Sequence, residues 1–442
     1  MPANAFLSFG AFALVFPCSH PYFPVPCLWL IIVSHRSIFY VCVSSLFFFL
    51  LPFPSSLLPP SSFGYNQVMK SLLPPPVWVA ESKALDRLAR TLRQQPRLAV
   101  DTESNSLHAF RERVCLIQFS TPSTDYLVDP LALSDLSPLV PLFSDPNIEK
   151  VFHAAEYDLI CLKRDFGITL ANIFDTMQAA RILGYKQVGL DSMLAGKLGI
   201  ILNKRYQKAD WGERPLSPEM LNYARLDTRH LLDLRDSLEA ELQERGRWEL
   251  AYEEFNRLAI CNGVNKPEVP PWQRVKGAQH FTPRQAAILQ ELCLWRAAQA
   301  KNMSRPVFKV MDDKRLVSIT LAAPKTQSDL ETLSLTPRQI YIYGTDILQA
   351  VGRGRKTPPL QRPLSNRPDP AFLNRLNVLS GWRKVVGQKI GVESDVILPK
   401  GWMHAIAEQN PDTMQELSAL MPQSPWRLAT FGTDILKTLH GK

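Results

Sequence analysis

IEKVFHAAEYDLICLKRDFG, residues 148–167, carries two periodicities in succession. Its first seven residues, IEKVFHA, read as a sheet strand. The rest, AEYDLICLKRDFG, sets apolar residues at helical spacing and stops at Gly167. A strand that runs straight into a helix is the repeating unit of a layered α/β fold. Asp158 stands in the first turns of that helix, where the helix dipole favours a carboxylate by ~0.5 kcal/mol. Capping alone accounts for one acid there, so its meaning depends on which other carboxylates arrive beside it.

Working outward, VAESKALDRLARTLRQQP (79–96) reads as a helix ended by proline, and RLAVDTESNS (97–106) as an alternating strand that runs into polar residues. ERVCLIQFST (112–121) and TDYLVDP (124–130) add two strands joined by a hairpin-like turn, and LSDLSPLVPLFSD (133–145) a helix. Three strands followed by alternating helices and strands predict a mixed sheet with flanking helices. LSPEMLNYARLDTRHLLDLRDSLEAELQERG (216–246) reads as one long amphipathic helix opened by Ser217 and Pro218.

The acids now fall into place. Asp101 and Glu103 are two apart at the end of the first strand, so both project from one face. Tyr223 and Asp227 are spaced i, i+4 and share a helix face. With Asp158, these carboxylates can converge at the sheet edge. Such a cluster repels itself unless cations neutralise it, and oxygen-only ligands select hard Mg²⁺ or Mn²⁺.

At these residues the chain resembles the ribonuclease D family, in the tyrosine subgroup of the DEDD superfamily of 3′→5′ exonucleases. Asp101-Thr102-Glu103 matches the first motif, Tyr157-Asp158 the second, and Tyr223 with Asp227 the third; the likeness runs over residues 76–255 and includes Trp211 and Arg214-Pro215-Leu216. The resemblance implies a ribonuclease H-like α/β exonuclease domain and hydrolysis of RNA from its 3′ end with two divalent ions, Mg²⁺ or Mn²⁺. Asp101 would bridge them, Glu103 and Asp227 would complete one site, Asp158 would support the other, and Tyr223 would orient the attacking water. It further implies RNA 3′ ends, tRNA precursors in particular, as substrate. DNA on the same site, or nucleic-acid binding by a vestigial site, are the alternatives. His153, Lys204, Arg205 and Lys208 are candidate substrate contacts, and Asp175 reads as a helix cap. One departure is Ser104-Asn105-Ser106, where the family often carries a larger side chain; it bears on the grip on the terminal nucleotide.

Composition sets the surroundings of this site. The chain has 442 residues, too many for one core, with 46% hydrophobic and 21% charged residues; its net charge of +9 biases it toward polyanionic partners. Cysteines 18, 27, 42, 115, 161, 261 and 293 form no CxxC pair and no metal-ligand spacing; thiols scattered in this way read as small core residues in a reducing, cytoplasmic setting. Residues 1–68 hold no Asp, Glu or Lys and a single Arg, Arg36, and are crowded with apolar residues as in SLFFFLLPFPSSLLPPSS (45–62). Three readings apply: a segment outside the folded protein, with translation starting at Met69; a membrane anchor over 37–53; or a signal peptide.

The expected exonuclease domain spans 69–262, followed by a linker over 263–279. Beyond it the sequence repeats itself: Trp295-Arg296 recurs as Trp382-Arg383 at a shift of 87, and GTDIL at 344–348 recurs at 432–436. The first copy, 280–350, resembles the helicase-and-RNase-D C-terminal (HRDC) domain, a small helical bundle. A basic, proline-rich linker over 351–369 leads to a second, divergent copy at 370–442. Both bundles would add nucleic-acid contacts, with the two tryptophans as core anchors.

Overall fold

The computed structural model describes residues 12–18, 27–34, 37–43, 74–260, 269–361 and 369–441. It divides into two units, residues 1–71 and 72–442. In the first, β1 (Phe12–Cys18), β2 (Cys27–Ser34) and β3 (Ser37–Val43) form an antiparallel sheet in that order. Residues 37–43, part of the stretch that had read as a membrane helix, are therefore a strand; residues 44–53 lie outside the described residues. Among the described residues no helix is long and apolar enough to cross a membrane.

The second unit is built on a six-stranded sheet. Its order is β4 (Val77–Val79), β7 (Asp125–Val128), β6 (Val114–Ser120), β5 (Arg97–Ser104), β8 (Glu149–Phe152) and β9 (Ile173–Asp175). β5, β6 and β7 run antiparallel, β8 and β9 lie parallel to β5, and β4 pairs parallel with β7. The edge strands β4 and β9 have three residues each, too short for an alternation to register in the sequence.

Along β5 the two faces divide the protein. Leu98 and Val100 enter one hydrophobic cluster with helices Ser82–Leu92 and Glu156–Phe166, whereas Ala99 enters another with helices Thr176–Leu183 and Leu231–Glu244. Side chains alternate along a strand, so Asp101 and Glu103 emerge on the Ala99 face and Thr102 on the opposite one. That alternation decides which acids meet.

The helix expected over 216–246 is two helices, Pro218–Arg229 and Leu231–Glu244, separated at His230, whose φ of −108° and ψ of 6° leave helical values. The break is tertiary in origin. Pro218–Arg229 lies across β6 and β7, where Arg225 forks onto buried Asp125 (3.0 and 2.6 Å) and Thr228 meets Ser120 at 2.7 Å. Leu231–Glu244 instead packs on Thr176–Leu183, and one straight helix cannot follow both.

The helical region repeats in three dimensions. Helices Pro283–Asn302, Val307–Val310 and Asp313–Ala322 reappear as Pro370–Ile390, Ser394–Ile397 and Lys400–Gln409. Helix Pro337–Lys356 has its counterpart in Pro425–His440. Arg296 donates to the Met311 carbonyl at 2.9 Å, and Arg383 to that of Leu398 at 2.8 Å, again 87 residues on. Trp295 and Trp382 each meet an aromatic edge-on inside their bundle, Tyr343 and Phe431 respectively.

Parts of the two stretches expected as linkers are structured, within 269–279 and 351–356, while residues 263–268 and 362–368 lie outside the described residues. Trp272, Val275 and Ala278 are buried in the first bundle's core, and the helix that ends the first repeat continues to Lys356. Gly354 permits that continuation, because a Cβ there would stand 2.5 Å from Ile288 Cα.

Candidate active site

Asp101, Glu103 and Asp227 each offer a carboxylate oxygen within 4.8 Å of the others. β5 delivers the first two and helix Pro218–Arg229 the third. The helix is fixed over the Asp101 face by the Arg225–Asp125 pair and by Trp211, which is buried and lies 6.0 Å from the Tyr223 ring. Arg214 clamps the loop that precedes this helix: its guanidinium forks onto Asp129 at 2.8 and 2.7 Å and donates to the Cys115 carbonyl at 2.7 Å. Tyr223 shares the helix face with Asp227, one turn earlier. Its ring packs edge-on to Tyr206 at 5.8 Å, and its hydroxyl has no hydrogen-bond partner among the described residues.

Asp158 arrives from the other side of the sheet. Its helix packs on the Leu98/Val100 face, so the buried carboxylate accepts a hydrogen bond from Thr102, the β5 residue between the two acids, instead of joining their oxygens. It stays close enough for its charge to act on both.

Burial, then the charges of Asp158, Asp227 and Glu103, push the Asp101 carboxyl well above the usual range. Burial, Asp227 and Asp158 do the same to Glu103. Burial raises Asp158 and Asp227 to about 7 each. Tyr223 is pushed above its ordinary value by burial and then by Asp227, Glu103 and Asp101. Crowded, half-desolvated carboxylates that resist ionisation fit an oxygen-only cation site, where a hard divalent ion supplies the missing positive charge. Because each folded value lies above its unfolded one, the stability these groups contribute is present below the unfolded values near 4 and lost as pH rises through about 7. Mn²⁺ should therefore raise the melting temperature more at about pH 8 than at about pH 5, read by calorimetry on one preparation. Equal shifts at the two pH values would contradict this picture of the cluster.

The other sequence candidates are less central. His153 Nδ1 lies 2.9 Å from Thr176 Oγ1, whose own proton goes to the Phe152 carbonyl, so the imidazole donates there; burial lowers its pKa to about 4 and keeps it neutral. Lys204 pairs with Asp191 at 2.8 Å. Arg205 lies over the Tyr206 ring, 5.4 Å from its centroid, and so stands two rings from Tyr223. Lys208 is exposed, with its backbone carbonyl meeting His108 Nε2 at 3.0 Å. In the Ser104-Asn105-Ser106 turn, Asn105 accepts from Arg113 N at 3.0 Å and Ser104 donates to Glu112 at 3.0 Å, so both side chains shape the loop. Glu112 also receives the hydroxyl of exposed Tyr157.

Sequence reasoning passed over Gln118. It sits directly opposite Asp101 across the β5–β6 ladder, fully buried, with neither amide atom hydrogen-bonded among the described residues. A single amide within the apolar run VCLIQFS was the signal.

Comparison with known proteins finds matches to both the α/β region and the helical repeats. A 3′-5′ exonuclease family model matches residues 76–243, and the HRDC domain model matches 285–351 and 372–439. A ribonuclease D of Nitrobacter hamburgensis is 30% identical over 373 residues, covering 82% of this chain and 95% of its own. The crystal structure of the catalytic core of RRP6 from Trypanosoma brucei superimposes with a TM-score of 0.57 at 28% identity, covering 64% of this chain and 80% of that one. Escherichia coli RNase D shares the fold over 83% of this chain and 99% of its own, with a TM-score of 0.62 at 24% identity.

Proposed function

Because this chain belongs to the ribonuclease D family and is a 3′→5′ exoribonuclease, we infer that the carboxylate cluster is its hydrolytic centre and that precursor tRNA 3′ ends are among its substrates. The convergence of Asp101, Glu103 and Asp227 within 4.8 Å carries this reading. Asp101, Glu103 and Asp227 would hold one divalent cation, Mg²⁺ or Mn²⁺, and Asp158 with Asp101 would hold a second. Bound there, such ions neutralise charge on the scissile phosphate and favour deprotonation of the attacking water.

The chain's own groups do the orienting. Tyr223 keeps its proton, since its pKa is shifted upward, and its unpartnered hydroxyl holds the attacking water by a hydrogen bond one helical turn from Asp227. Thr102 fixes the Asp158 carboxylate from the opposite face of β5. Arg205, next to the Tyr206–Tyr223 ring pair, meets a substrate phosphate.

The test uses 5′-labelled RNA carrying either a free or a blocked 3′ end. Stepwise shortening of the free-ended RNA in Mn²⁺, abolished by EDTA and by the 3′ block, is expected. Internal cleavage, or faster removal of deoxynucleotides from a matched DNA, would contradict the reading. In the same assay Tyr223→Phe should lower kcat ~10²-fold while the protein remains folded, within the range of a positioned proton-transfer or water-orienting group. An unchanged rate would leave Tyr223 a core aromatic.

A further inference from the structure

The geometry points to Asp175 as a positioning residue for the active site, acting by fastening the turn that aims Asp158. Asp175 ends β9 and is completely buried. Its Oδ1 accepts from Met177 N at 2.8 Å and Gln178 N at 3.0 Å, which caps helix Thr176–Leu183. Capping accounts for those two bonds and for nothing more. The same carboxylate also accepts from Ala154 N at 3.1 Å and, through Oδ2, from Ala155 N at 2.8 Å. These donors belong to a different element, the junction between β8 and helix Glu156–Phe166.

Both of those bonds fall where the chain needs them. Ala154 has φ +66°, a left-handed conformation that a residue with a Cβ rarely adopts without support. Ala155 is the N-cap of the helix and has no side chain able to cap it. Asp175 thus supplies from another strand the acceptor that this helix start lacks, and fixes the angle at which the helix leaves the sheet. Asp158 lies three residues further on, its carboxylate on Thr102 of β5. A change in that angle moves the Asp158 oxygens relative to Asp101 and Glu103. A supporting shell of this kind sets the geometry of a cation site, and losing one such partner costs roughly 10- to 100-fold in metal affinity.

Asp175→Asn spares the cap and breaks one of the two bonds to the turn, because asparagine keeps one acceptor oxygen. With that oxygen on Met177, Gln178 and Ala154, as Oδ1 is now, its NH₂ faces the Ala155 N–H, donor against donor. The expected result is a folded protein in which hydrogen exchange accelerates over residues 152–160 while helix 176–183 keeps its protection. Calorimetric Mn²⁺ affinity, and the Mn²⁺ concentration at half-maximal rate, should worsen by about tenfold or more with KM for RNA unchanged. A plain helix cap predicts unchanged Mn²⁺ binding, and that outcome overturns the proposal. So does loss of protection in both segments together.

The proposal rests on Asp158 acting at the cation site, so Asp158→Asn is measured alongside. If it leaves Mn²⁺ binding untouched, the assignment of Asp158 fails, whereas a weakened Asp158→Asn beside an unaffected Asp175→Asn refutes only the positioning role. Should Asp175→Asn not fold, Ala154→Pro removes one of the tied N–H groups and forbids the positive φ while leaving Asp175 in place. The same weakening of Mn²⁺ binding is then expected, and its absence overturns the proposal.

Discussion

Asp101→Asn is expected to lower kcat for RNA trimming by ~10³-fold or more, as removal of one member of a catalytic unit does. The side chain keeps its size, so the half-buried position on β5 stays filled. The carboxylate lost is the one on which the charges of Asp158, Asp227 and Glu103 all act. Removing that negative charge also relieves repulsion, so the metal-free variant should be at least as stable as the wild type. Reduced activity therefore cannot be ascribed to unfolding if calorimetry gives an unchanged or higher melting temperature. RNA binding without metal should survive, because phosphate contacts come from cationic groups elsewhere.

The second large effect lies far from the chemistry. Arg427 in the second helical bundle is completely buried and reaches back to helix Trp248–Ile260, which packs on β9 of the sheet. It donates to Glu253 at 3.2 Å and to Glu254 at 3.0 Å. The same bundle shares one hydrophobic cluster with the exonuclease helices. Arg181 forks onto Asp395, and the positive-φ Gly184 lies against Gly391, where a Cβ would stand 2.3 Å from the carbonyl oxygen. Arg427→Ala leaves buried Glu253 without its cation, held only by the backbone N–H groups of residues 426 and 427, and leaves Glu254 to Arg257; it should cost roughly 3 kcal/mol. Denaturant unfolding of the full chain should show a lower midpoint or a separate early transition. A midpoint unchanged from the wild type would mean the contact is absent in solution.

Nucleic-acid contact is the reading of both bundles from sequence. The second bundle also packs on helices Thr176–Leu183, Leu231–Glu244 and Trp248–Ile260 beside the catalytic sheet. Deleting it should expose Leu238, Leu242 and Phe255, which share its cluster, and slow cleavage of short and long RNA alike. The first bundle has a core of its own and touches the catalytic domain through Phe110, in the loop after Glu103.

The convergence of the candidate site residues was legible because each motif is local. Asp101 and Glu103 share a strand face at spacing two, and Tyr223 and Asp227 a helix face at spacing four, whatever the rest of the fold does. The repeat of 87 residues was legible for the same reason: Trp-Arg and GTDIL recur as strings. Contacts between distant residues were not. Nothing near His230 announces a break that comes from Thr228 meeting Ser120, 108 residues away. Arg427 reads as an ordinary helix cation until Glu253, 174 residues earlier, is beside it. Asp175 was recognised as a cap because its cap partners are two and three residues on, while its bonds to Ala154 and Ala155 span the sheet. That Asp158 approaches from the face opposite Asp101 follows from sheet topology, which no spacing within one strand encodes.

The central claim is that Asp101, Glu103, Asp227 and Asp158 together hold the divalent ions used for catalysis. Crystals soaked in Mn²⁺ test it directly through anomalous scattering. The expected map shows one peak among the oxygens of Asp101, Glu103 and Asp227 and a second on the Asp158 side of Asp101, both absent from Asp101→Asn crystals treated identically. Manganese peaks confined to other surface acids, or a wild-type cluster without any peak at saturating Mn²⁺, would contradict the account.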